Sequence, residues 1–172
     1  MTISGIPKPV WTAFQLLHTH AGDRRLPTVV GAQGNVSYIS AMATTNSSGG
    51  GAATVASSLR VFLGFWGNPD TCCNATARTI RLTVNHAAAH AGLLALPTKA
   101  VLHVIDDAHG NVQALWHSLG APDKPDAAQL AQLKAASAAG VVPATVTALN
   151  ETATVVTVPM TENSAVVVEY SL

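Results

Sequence analysis

Short runs of β-branched and aliphatic residues recur along this chain, each closed by Gly, Pro, Asn or Asp, and they limit the fold more than any other feature. Residues 79–84 read TIRLTV, with Ile80, Leu82 and Val84 on one side and Arg81 and Thr83 on the other. A period of two is that of a strand with one dry and one wet face. Runs of the same character lie at 36–44, 59–66, 99–105, 152–158 and 165–170. Turn-forming residues at 67–70 and 160–164 separate some of them. TNSSGGGAA at 45–53 reads as a flexible loop. A doubly wound α/β fold needs a helix between most strands, and only one interval here offers one. The expectation is a mainly β domain, an antiparallel sandwich with a two-helix insertion. The sequence has no internal repeat.

Two stretches break the β pattern. In residues 6–21, Pro7 and Pro9 sit where a helix entry tolerates them, and Val10, Phe14, Leu17 and Ala21 then follow helical spacing up to Gly22. Ala13 and Leu16 broaden that stripe, so the helix needs a large partner surface. The polar run at 23–27 is the best internal boundary. The second stretch, residues 101–137, begins as a strand, turns at Asp106-Asp107, and continues as two helical segments separated by Pro122 and Pro125.

The 172 residues suffice for one domain with a sizeable core. Nine basic and nine acidic side chains cancel. Nucleic-acid and anionic-membrane surfaces need a basic excess, so neither is an expected partner. No apolar run is long enough for a membrane span, and the N-terminal MTISGIPKPVW lacks the pattern of a signal peptide. Cys72 and Cys73 are adjacent, a spacing that disfavours a bridge between them. Four N-x-S/T tripeptides, at Asn35, Asn46, Asn74 and Asn150, are a mild sign of a secreted history.

Chemistry is sparse. His86 and His90 have ligand spacing only if helical, and no third donor is near them in sequence. His18 and His20 lie two apart on the N-terminal helix and read as polar-face residues. Asp106, Asp107 and His109 form the most reactive-looking group. The simpler reading makes one aspartate the cap of the following helix. Trp11, Trp66 and Trp116 all lie in apolar surroundings and read as core or interdomain packing. Glu151, Glu162 and Glu169 are scattered among strands and turns. No nucleophile elbow, phosphate loop or dinucleotide fingerprint occurs. No catalytic, cofactor-binding or metal-binding residue is therefore assigned.

Two separated stretches carry a resemblance. SGIPKPVWTAFQLLHTHAG resembles the last barrel helix of glycoside hydrolase family 39, the β-xylosidases and α-L-iduronidases. IDDAHGNVQALWHSLGAPDKP is similar to a segment of that family's C-terminal accessory domain, with Asp106, His109, Asn111, Trp116, Gly120, Pro122 and Pro125 in the family's pattern. Val104 and Val112 depart from it, standing where the family often has Arg and Pro. The resemblance implies that residues 1–22 are the terminal helix of a truncated (β/α)8 barrel. Residues 23–172 would then be an accessory sandwich with its insertion at about 108–139.

The family's two catalytic glutamates lie on barrel strands with no counterpart here, so the chain alone is expected to be inactive. It would be a truncated gene product or an isolated domain whose partner is a catalytic barrel in cis or in trans. The complete enzyme would be secreted or lysosome-like. A free-standing carbohydrate- or protein-binding module is the alternative, and no cofactor is implied.

Overall fold

The computed structural model describes residues 5–31, 39–48, 55–66, 77–85 and 97–171. The chain begins with helix α1 (Pro9–His20) and continues through strands β1 (Arg24–Leu26), β2 (Ile39–Ser48), β3 (Val55–Phe65), β4 (Arg78–Asn85) and β5 (Lys99–Ile105). Helices α2 (Gln113–Ser118) and α3 (Ala127–Ala136) follow, then β6 (Gly140–Asn150), β7 (Ala153–Met160) and β8 (Ser164–Ser171). All strand pairings are antiparallel, in the order β1-β2-β3-β8-β5-β6-β7-β4.

The sheet curls over on itself at β6. The first half of that strand, Gly140 to Thr145, pairs with β5, and the second half, from Val146, pairs with β7. One strand thereby belongs to both layers. Leu59, Val61, Leu63 and Phe65 of β3, Ala100, Leu102 and Val104 of β5, and Val166, Val168 and Tyr170 of β8 face Val156, Val158 and Met160 of β7 across one core. Each set is spaced by two residues, as the pleat requires. Ile80, Leu82 and Val84 of β4 pack against this core as the alternation in TIRLTV predicts.

The opposite face of the β3-β8-β5 layer is covered by helices. Ile6, Ile105, Leu133 and Val167 are buried outside the main core. Strand β8 therefore buries Val167 on one side as well as Val166 and Val168 on the other, which accounts for the unbroken valines at 166–168.

The polar run at 23–27 contains the short strand β1, whose Arg24, Arg25 and Leu26 pair with Thr45, Thr44 and Ala43, so this run joins the sheet. The stretch 45–48, read as loop, is the end of β2. Strand β6 carries little strand signal in its sequence, because most of its side chains are exposed and Pro143 interrupts it. Pro143 pairs with Val101 where β6 is an edge, so its missing N–H removes no bond from a second neighbour.

The insertion is held by local chemistry. At the end of α2, Gly120 N–H donates to His117 O and Ala121 N–H to Trp116 O, at 3.0 and 2.9 Å. This is a Schellman stop, with Gly120 at φ +87°. Trp116 Nε1 donates to Pro122 O at 3.2 Å and pins the chain after the stop. Trp116, Gly120 and Pro122 thus act as one device. Asp126 caps α3 by accepting from Gln129 N–H, while Gln129 Oε1 accepts from Asp126 N–H. That reciprocal box fixes where α3 starts.

Trp116 is half-buried, so Trp116→Ala should cost about 2 kcal/mol, below the range for a fully buried aromatic. Gly120→Ala should cost roughly 1 kcal/mol through the left-handed backbone alone, since a Cβ there meets nothing within 4 Å. Urea denaturation of both variants measures these losses, and the double variant should lose less than the sum because the two residues share one turn.

Candidate functional site

Helix α1 lies on the outer face of β5 and β8 with an inverted distribution of side chains. Thr12, Leu16 and His20, spaced four apart, are buried or half-buried. Thr12 Oγ1 donates to Ser137 O at the end of α3, at 3.1 Å. Of the stripe that reads as the apolar face, Val10 and Phe14 point away, 58% and 64% exposed, while Ala13, Leu16 and Leu17 are half-buried. Gly22, which follows the helix, is required by a close approach. A Cβ there would fall 2.3 Å from the backbone oxygen of Thr45, and Gly22 N–H donates to Thr44 Oγ1 at 3.0 Å.

The last turn of α1 delivers His20 to a polar cluster centred on Glu169 of β8. Arg60 of β3 stands directly opposite Glu169 in register. Its Nε and Nη2 both donate to Glu169 Oε1, at 3.0 and 2.9 Å. His103 of β5 lies diagonally across the same face, with Nε2 3.2 Å from Glu169 Oε2. His20 Nδ1 approaches that second oxygen at 3.6 Å. The two imidazole rings stand 4.4 Å apart between centroids.

This environment separates the protonation states. Burial raises the Glu169 pKa, but hydrogen bonds from Arg60 and then His103 outweigh it, and the net value lies below that of a free glutamate. Burial, and then the neighbouring His103, lowers the His20 pKa against the pull of Glu169. At neutral pH the cluster therefore holds a carboxylate, a guanidinium and a neutral His20. It has the makings of an ion-binding or helix-anchoring centre.

The sequence reading placed His20 on a polar face and left Glu169 among scattered acids. The structure brings both, with Arg60 and His103, to one point. His18 is exposed, as a polar-face residue should be.

The Asp106–His109 group has a different role from the one expected. Asp106 Oδ1 accepts from Ala108 N–H, His109 N–H and His109 Nδ1, at 2.9, 2.8 and 2.9 Å. It closes the tight turn at 106–110 and does not cap a helix. Asn111 takes the place nearest the start of α2, accepting from Gln113 N–H at 3.1 Å, and its own amide donates to Asp107 at 3.3 Å. Pro122 and Pro125 flank the link between α2 and α3.

Trp11 and Trp66 are 42% and 60% exposed, so neither belongs to this domain's core. His86, His90, Cys72, Cys73, Asn35 and Asn74 lie outside the described residues. Asn46 lies in β2, and Asn150 ends β6 with its Oδ1 accepting from Thr152.

Comparison with solved structures places the fold. The chain superposes on a GH39 enzyme from Xanthomonas axonopodis pv. citri with TM-score 0.64 and 20% identity, over 97% of this chain and 31% of that one. A monomeric β-xylosidase from Caulobacter crescentus gives TM-score 0.62 and 19% identity, over 99% of this chain and 32% of that one. A GH39 β-xylosidase structure from the same organism gives TM-score 0.61 and 19% identity, over 100% and 29%. The chain therefore has the fold of a part of these enzymes and spans about a third of their length. No family model and no curated protein sequence matches it. Among the described residues, no helix is long and apolar enough to cross a membrane.

Glu169→Gln removes the anion on which three groups converge. It should cost about 1–2 kcal/mol at neutral pH, discounted because Glu169 is 31% exposed. Since the folded-state pKa of Glu169 is depressed, its contribution is present above the unfolded carboxyl range and fades as pH falls through the folded value. Denaturation midpoints of the two proteins should therefore converge in acid, and a gap that persists there would contradict the assignment.

Proposed function

We propose that this chain is the C-terminal accessory part of a family 39 glycosidase: an antiparallel sandwich, residues 23–172, preceded by the last helix of a (β/α)8 barrel in residues 1–22. In the complete enzyme the reaction is hydrolysis of O-glycosyl bonds of the xyloside or iduronide type. The observation that carries this reading is the exposed stripe Val10, Trp11 and Phe14 on α1. An apolar helix face turned away from its own domain needs another surface to cover it. A barrel that continues past α1 supplies one, and the near-complete structural likeness of this chain to one third of GH39 enzymes supports that partner.

The chain itself is assigned no catalytic residue. Retaining glycosidases hold two carboxyl groups about 5 Å apart on a rigid frame. Glu169 is committed to Arg60, and Asp106 to its own turn. Turnover of aryl β-xylosides or iduronides by the purified chain should be undetectable, and clear turnover would refute the reading. Mixed with a family 39 barrel expressed without its last helix, the chain should co-purify. Replacing Phe14 and Trp11 with Glu should abolish that association while leaving the thermal midpoint nearly unchanged, because both residues are exposed.

The second reading is a carbohydrate-binding module, favoured by the exposure of Trp66 at the end of β3. Titration with xylan oligosaccharides, followed by tryptophan fluorescence, should give saturable quenching lost in Trp66→Ala if that reading holds.

A further inference from the structure

We propose that His20, His103 and Glu169 bind one divalent transition-metal ion of the Zn²⁺ class, which fastens α1 to the sheet. Their donor atoms Nδ1, Nε2 and Oε2 lie within 4.8 Å of one another. For a tetrahedral ion with metal–ligand bonds of about 2.0–2.1 Å, neighbouring ligand atoms stand roughly 3.3–3.4 Å apart. The two measured edges that meet at Glu169 Oε2 are 3.2 and 3.6 Å, on either side of that length. Three donors from three different elements thus converge, with the two edges at Glu169 Oε2 matching such a site and the imidazole–imidazole edge no longer than 4.8 Å.

The surroundings fit as well. Arg60 engages only Oε1, through two donors, and so turns Oε2 toward the imidazoles. Ligating carboxylates are commonly held by an outer hydrogen bond of this kind. The donor set of two imidazole nitrogens and one carboxylate oxygen suits Zn²⁺, Co²⁺ or Ni²⁺ and disfavours Ca²⁺ and Mg²⁺, which take oxygen. The His20 and His103 side chains are only 16% exposed, while Glu169, at 31%, leaves the cluster open to water for a fourth ligand. Arg60 offsets the carboxylate charge, so affinity should be below that of a structural site with four protein ligands. The ion would tie the end of α1 to β5 and β8 from inside this chain. The inference is independent of the proposed place in a glycosidase.

The test is calorimetric titration of the intact chain with ZnCl₂, alongside thermal melts. One site should appear, with a rise in melting temperature at saturating metal. His20→Ala and Glu169→Gln should each weaken binding at least tenfold and remove that rise. Four substitutions made together, Cys72→Ser, Cys73→Ser, His86→Ala and His90→Ala, should retain it. Co²⁺ substitution should give the visible bands of a tetrahedral nitrogen–oxygen site without a thiolate charge-transfer band. Absence of a saturable site, wild-type affinity in His20→Ala, or loss of binding in the fourfold variant would overturn the inference. Should Glu169→Gln unfold, His20→Ala and the Co²⁺ spectrum decide the question.

Discussion

A carboxylate on the most deeply enclosed strand governs how the N-terminal helix is attached. Strand β8 places Val166, Val168 and Tyr170 in the main core and Val167 under the helices. Glu169 interrupts that apolar setting, and its partial burial disfavours the charge until neighbours compensate it. The sheet register provides it: Arg60 stands directly across the pair and His103 diagonally beyond. Cross-strand neighbours on one face are the unit by which sheets are stabilised, and here that unit is ionic. The polar centre then sets the resting place of α1, because His20 reaches it only if the last helical turn lies over β5 and β8.

The second constraint is the sharing of β6 between the two layers. Since β6 pairs with β5 in its first half and with β7 in its second, the layers need no separate connection to keep their facing angle. The cost is a strand with few buried side chains. Its stability comes from backbone ladders on both partners and from the sheet it joins, so propensity and alternation in its own residues contribute little.

That division explains what could be read from the chain and what could not. Strand β5 was legible to the residue because Ala100, Leu102 and Val104 alternate against a dry core. The same holds for β4 and β8, within a residue or two. Strand β6 lacks that contrast, and its Pro143 reads as a breaker until its place on an edge is known. At Asp106 the residue type signals capping, but composition does not distinguish a capped turn from a capped helix. The Asp126–Gln129 box has the residue types of a start signal, but two prolines just before it obscure where α3 begins. The Glu169 cluster was not legible at all. His20, Arg60, His103 and Glu169 come from four elements spread over nearly the whole chain, and only strand order brings them together.

Helix α1 is where these threads meet. A surface helix ordinarily turns its apolar stripe inward and its polar face to water. Here Thr12 and His20 face the sheet, Thr12 hydrogen-bonded to Ser137 O and His20 set 3.6 Å from Glu169, while Val10 and Phe14 face out. Directional polar contacts fix orientation well but add little net free energy each. Burial of the outer stripe would supply the larger, non-directional term. On the function proposed above, the helix would act as a connector, oriented by the sheet through its polar side and covered by a second surface on its apolar side.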